Sequence, residues 1–128
     1  MNINTIISTG EFFDKITILE IKKKKISDKQ KLINIQNELS ELRNIEKKYD
    51  LEKFELKDLI NNLYLSNLKL WEIEDKIRLK EKAKEFDQDF IDLARSVYFK
   101  NDLRAKIKKD INIKSNSNLI EEKSYQEY

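Results

Sequence analysis

The sequence predicts an all-α domain, an antiparallel bundle of about four long helices followed by a C-terminal tail, and three observations predict it. The 128 residues include no proline and a single glycine, so the chain lacks the turn residues an all-β fold would need at every hairpin. Apolar residues recur at spacings of three and four rather than in alternation. Helix-start signals stand where the periodic segments begin. The length suits one domain, read as a helical bundle over residues 1–114 with a polar linker and tail over 115–128.

Ser8-Thr9-Gly10-Glu11 form a capping box, a hydroxyl three positions before a carboxylate, and open a helix expected to reach about Ile26. Its main apolar stripe is Phe12, Ile16, Leu19 and Ile26 with Phe13 alongside. Ile18 and Ile21 lie almost opposite, so burial on two sides is expected. Lys22 to Lys25 fall in the last turn, where cations offset the helix dipole. Ser27 with Gln30 gives a second capping box, and the helix after it carries a narrow seam of Leu32, Ile35, Leu39, Leu42 and Tyr49. A third periodic segment runs from near Glu52 to about Phe86, with a candidate bend at Ser66-Asn67. Asp87 is the expected N-cap of a fourth helix reaching about Ile111, with Phe90, Ala94, Val97 and Tyr98 on one stripe. Lys114 to Asn118 read as a polar linker. In the tail, Leu119, Ile120 and Tyr125 are expected to dock on the helices and bury apolar surface.

Composition excludes much chemistry. Without His or Cys there is no Ser-His-Asp or Cys-His nucleophile, no imidazole base and no zinc site of nitrogen and sulfur ligands. No structural metal is expected, and a metal held at all would be a hard cation such as Mg²⁺ on carboxylates. A glycine-rich phosphate loop and a dinucleotide fingerprint are likewise absent. The 26 basic and 24 acidic residues interleave, so no single-sign field draws the chain to nucleic acid or to an anionic membrane. No stretch approaches the roughly 20 apolar residues that span a bilayer, and no leader-like pattern opens the chain, so a cytoplasmic protein is expected.

The third segment is the most specific. Its seam reads Leu56, Ile60, Leu63, Asn67, Leu70, Glu74, Ile77, which places Asn67 and Glu74 where apolar residues belong. A buried carboxylate requires a cation, several donors or its own proton. In the fourth helix Asn101 and Arg104 project within the Phe90-Ala94-Val97 arc, and in the first Asp14 falls between Ile18 and Ile21, apart from a charged ridge of Glu11, Lys15 and Lys22. One reading makes these an internal network that fixes helix register, with Glu74 paired to Arg104. The other makes Asp14, Glu74, Asn101 and Arg104, with Lys15 and Arg78 nearby, an inter-helix pocket for a small anionic ligand. Arginine would clamp phosphate or carboxylate, and the carboxylates would hold hydroxyls or Mg²⁺.

Other residues carry weaker signals. Glu72-x-x-Asp75 and Glu38-x-x-Glu41 match the wording of the Mg²⁺-holding helices of all-α nucleotide pyrophosphohydrolases, yet Glu38 and Glu41 point away from the seam of their helix. Arg95 and Asp102 share a face of the fourth helix and read first as surface charges. Trp71 and Tyr98 read as core or interface aromatics before they read as stacking platforms. A rival class is an interaction module or homo-oligomer, pairing through the second helix's seam or through such aromatics.

Four strings, taken in order, carry a resemblance: Gly10-Glu11-Phe12-Phe13-Asp14-Lys15-Ile16-Thr17-Ile18-Leu19-Glu20-Ile21-Lys22, Leu70-Trp71-Glu72-Ile73-Glu74-Asp75, Ala94-Arg95-Ser96-Val97-Tyr98 with Asn101-Asp102 and Arg104, and Glu121-Glu122-Lys123-Ser124-Tyr125. The chain resembles an uncharacterised family of short bacterial proteins, a domain of unknown function, over nearly its whole length. The resemblance implies no reaction. Family members encoded near surface-polysaccharide genes would imply a phosphorylated-sugar or nucleotide-sugar context. It adds Lys123 and Tyr125 to the candidate site and overlaps the periodicity at Asp14, Glu74, Asn101 and Arg104. Thr9 stands where the pattern has proline, and Ser-Asn repeats replace a glycine-containing turn after the fourth helix.

Overall fold

The computed structural model describes residues 1–128 and holds four α-helices: α1 (Thr9–Lys25), α2 (Lys29–Lys48), α3 (Lys57–Ala83) and α4 (Gln88–Lys114), with a 3-10 turn at Leu51–Phe54 before α3. There are no strands. The Ser8 hydroxyl accepts from the Glu11 amide at 3.1 Å, the cap its spacing predicts. Asp87 does the same for α4, accepting from the Phe90 amide at 3.0 Å.

Other boundaries differ from expectation. Asp28, not Ser27, caps α2, accepting from the Lys31 amide at 2.9 Å; a carboxylate three residues before an amide serves as well as a hydroxyl. Helix α3 begins at Lys57 rather than near Glu52. Asp50 and Glu55, both left-handed at φ 51° and 54°, bracket the 3-10 turn and keep it from continuing into the helix. It stops at Ala83 rather than Phe86, because Lys84 is left-handed at φ 56°. The Glu85 amide donates back to the Lys80 carbonyl at 3.0 Å, closing the last turn without a glycine. Helix α4 runs past Ile111 to Lys114.

Helix α1 packs against both α3 and α4, and α2 lies on α1. The core joins Phe12, Phe13 and Ile16 of α1 to Leu56, to Leu63 of α3 and to Ile107 and Ile111 of α4, with Leu39 and Leu42 of α2 partly buried against it. Leu19 and Ile21 are also buried, so α1 is covered on two sides as its sequence predicts. The single glycine marks a close approach of α1 to α4. The Gly10 amide donates to Asn112 Oδ1 at 2.6 Å, and a Cβ at Gly10 would stand 2.5 Å from the Lys108 carbonyl oxygen.

Two expected faces are only partly buried. In α2 Ile35 alone is buried, and Tyr49 is exposed. In α4 Ala94 and Tyr98 are exposed, and the buried positions are instead Ile107, Lys108, Ile111 and Asn112. The cause is length: 17 residues make α1 about 25 Å long, while the 27 residues of α3 and of α4 make each about 40 Å. The α3–α4 hairpin therefore projects beyond α1. No helix is long and apolar enough to cross a membrane.

Candidate functional site

Three helices contribute inward polar groups that meet at one carboxylate. Asp14 of α1 is 2% exposed. Arg104 of α4 grips it with two bonds, Nε to Oδ1 at 3.0 Å and Nη2 to Oδ2 at 2.5 Å. Asn67 of α3 donates through Nδ2 to Asp14 Oδ1 at 2.9 Å and to Thr17 Oγ1 at 3.0 Å, while the Thr17 hydroxyl donates to the Asp14 carbonyl at 3.0 Å. Lys108 stands 3.8 Å from Asp14 and bonds Glu11 at 2.7 Å and Glu121 at 3.0 Å. Burial pushes the Asp14 carboxyl upward, but the bonds from Arg104 and Asn67 and the charges of Arg104 and Lys108 outweigh it and hold the group below the usual carboxylate range. The same pairing raises Arg104, because the Asp14 carboxylate stabilises its charge more than burial opposes it.

Glu74 is not part of this network. It is exposed, and it accepts from Arg78 Nε at 2.8 Å across one turn of α3. The partner of Arg104 is Asp14, which corrects the Glu74–Arg104 pairing expected from the seam. Glu74 keeps the face of Leu56 and Asn67, since 18 residues from Leu56 are five full turns, but at its level that face lines an open cleft; the buried position there is Ile73, about 100° round the helix.

Above the network lies an open cleft of about 370 Å³ whose walls include Asn67, Trp71, Glu74, Arg78, Asn101 and Arg104. Asp75 lines it as well. Arg104 spends Nε and Nη2 on Asp14 and leaves Nη1 3.4 Å from Asn101 Oδ1. Arg78 spends only Nε on Glu74, so both of its Nη groups remain as donors.

A second, larger cleft of about 1160 Å³ lies between α4 and the tail, with Tyr98, Asn101, Asp102, Lys123, Tyr125 and Tyr128 among its walls. The two clefts share Val97 and Asn101. The tail runs back along α4, pairing Glu121 with Lys108 at 3.0 Å and Glu122 with Lys109 at 3.6 Å. Tyr128 donates its hydroxyl to Asp102 Oδ2 at 2.5 Å and sets its ring 5.1 Å from that of Tyr98 and 4.6 Å from that of Phe99. Leu119 and Ile120 remain 43% and 42% exposed and Tyr125 76%, so charge pairs and Tyr128, more than aliphatic burial, hold the segment.

The remaining candidates stand apart. Lys15 is exposed, 3.6 Å from Glu38 of α2 and outside both clefts. Glu11 lies under Lys108, and Arg95 is exposed beside Tyr98. Glu72 contacts Lys69 at 3.7 Å, Glu41 is exposed, and no three acidic residues gather as a metal-holding group. The Glu38-Glu41 and Glu72-Asp75 pairs therefore do not face each other as the pyrophosphohydrolase wording would require. Sequence reasoning missed Lys108 and Asn112. The signal was present, since Asn101, Arg104, Lys108 and Asn112 follow one another at helical spacings along α4.

Fold and site together define a small all-α bundle with a buried Asp-Arg-Asn network beneath an open inter-helix cleft. The chain belongs to a family of unknown function, DUF6165, whose model matches residues 3–128. No curated protein and no solved structure matches it.

Proposed function

We propose that this protein binds a small anionic molecule in the cleft between α1, α3 and α4. One observation carries the reading: Asp14 holds Arg104 from behind through two bonds, so the guanidinium reaches the cleft fixed in orientation, with Nη1 engaged only by Asn101 Oδ1 at 3.4 Å and its second N–H left to donate. A donor locked by a buried partner loses little entropy on binding. Arg78 adds two more free nitrogens, and Trp71 offers an indole surface.

The charges refine the ligand. Arg78 and Arg104 are balanced on the same walls by Glu74 and Asp75, so a bare polyanion gains little here. A molecule with one anionic end and several hydroxyls suits both signs. Its phosphate or carboxylate would lie on the guanidiniums and its hydroxyls would donate to the carboxylates. A phosphorylated sugar or a nucleotide sugar has that composition.

Trp71 is the chain's single tryptophan and lies in the cleft, so its fluorescence is a direct reporter. Titration with ribose 5-phosphate and with uridine diphosphate glucose is expected to give a saturable change that Arg78→Ala abolishes. A flat response to both compounds at millimolar concentration would reject the reading.

A further inference from the structure

We propose that the segment Leu119–Tyr128 is the closing wall of this ligand site, and that the cleft between it and α4 takes a nucleobase whose phosphate reaches Arg78 and Arg104. The inference rests on the binding reading above and names its ligand class. The two clefts adjoin at Val97 and Asn101. Along α4, Tyr98 in one and Arg104 in the other are about 9 Å apart on the helix axis, the scale of a nucleoside with its first phosphate.

The two ends differ in chemistry in the way such a ligand requires. At the tail end three tyrosines, Tyr98, Tyr125 and Tyr128, line the space with partly or largely exposed rings. Any base can stack on them. Asn101 and Gln126 present amides, each able to donate to and accept from the polar edge of a base. Among the charged residues that line this end, Lys123 is outnumbered by Asp102 and Glu127, which leaves no surplus cation on its walls for a phosphate. The two guanidiniums that line the clefts, those of Arg78 and Arg104, are both at the other end, which sets the ligand's direction.

The wall can move. Past Ser117 the chain makes no backbone–backbone hydrogen bond, and every residue from Asn118 on is exposed. Its attachments are the side chains of Glu121, Glu122 and Tyr128 and an exposed bond from the Ser117 hydroxyl to the Leu119 carbonyl, which can release and re-form without disturbing the core. A base entering between the tail and α4 would gain a tyrosine on either side only when the segment is down, so binding and closure are coupled.

The test uses the full chain and three probes, adenosine diphosphate, uridine diphosphate and ribose 5-phosphate, each titrated calorimetrically into the parent and into a Tyr125→Ser, Tyr128→Ser variant. Both substitutions are at exposed positions, and circular dichroism checks the fold. For the parent, at least one nucleotide should bind about ten- to a hundredfold tighter than ribose 5-phosphate. The variant should lose that advantage while its affinity for ribose 5-phosphate stays within about twofold. In parallel, the preferred nucleotide should slow tryptic cleavage after Lys123 in the parent, and ribose 5-phosphate should not. If ribose 5-phosphate binds and no nucleotide binds better, or if the preference survives in the variant, the tail cleft is not a base site and this inference alone falls. If none of the probes binds the parent, the binding reading falls and takes this one with it.

Discussion

At the level of single residues, Arg104 and Glu74 carry opposite consequences although both are charged groups set in an apolar pattern. Arg104→Met would leave Asp14 buried without its two-bond partner and with only Lys108, 3.8 Å away, as a cation, and the loss of a buried partner costs about 3–5 kcal/mol. Glu74→Leu removes only an exposed pair with Arg78 and should change stability by less than about 0.5 kcal/mol. Urea denaturation of the two variants checks the contrast, and equal losses would return Glu74 to the core network. Asp14 also sets an acid dependence. Its carboxyl lies below the ordinary 3.8 in the folded chain, so its contribution is complete above about pH 4 and is lost as pH falls through the lowered value. Between about pH 4 and pH 2 the parent should therefore lose more stability than an Asp14→Asn variant, as read by denaturation midpoints across that range. Asp14, Asn67 and Arg104 were legible from sequence because each breaks an apolar stripe. Their mutual pairing was not, since spacing along one helix gives a side chain's direction and says little about its partner on another. Glu74 was misplaced because it keeps the face of the seam at a level where that face lines an open cleft, and helical period does not tell how far a neighbouring helix covers a face.

At the level of elements, the tail is where expectation and geometry part most. Docking through Leu119, Ile120 and Tyr125 would make its removal cost more than about 2 kcal/mol. The contacts observed are two ion pairs, two hydroxyl bonds, and the Tyr128 ring against Tyr98 and Phe99, all made by exposed tail residues. Ordering ten residues opposes that gain at about 1–2 kcal/mol each. Lys108, the only buried group involved, keeps Glu11 as a partner when Glu121 is gone. Deleting residues 119–128 should therefore shift stability by less than about 1 kcal/mol, measured as a urea midpoint with unchanged slope. A larger loss would mean that the segment is part of the folding unit. Helix starts were legible where a side chain caps them, at Ser8 and Asp87. The start of α3 was not, because it depends on left-handed Asp50 and Glu55, residues that carry no glycine-like signal.

At the level of the whole molecule, stability is unevenly distributed along the long hairpin. Period and composition made the helical class legible, but nothing in the sequence says how far a 17-residue helix reaches along two of 27, and that mismatch decides where the core ends. Between Ile73 and Ile107 no residue is buried. The hairpin's tip is held instead by Lys80 with Glu85 and Asp87 at 3.0 and 2.8 Å, and by the edge-on stack of Phe86 and Phe90 at 5.3 Å. Exposed ion pairs of this kind contribute about 0–1 kcal/mol each. Local opening of the tip should then require less free energy than unfolding the core around Phe13, Leu63 and Ile111. Native-state hydrogen exchange should show the amides of residues 79–83 and 91–95 at least about tenfold less protected than those flanking Leu63 and Ile107. Uniform protection along both helices would show that the hairpin opens only with the whole domain. Trp71, Arg78 and Val97 stand at the boundary between the two regimes, so a ligand held there would bridge the firm half to the loose one. Protection should accordingly spread toward residue 79 when the cleft is filled, and exchange measured with and without uridine diphosphate would read that spread independently of affinity.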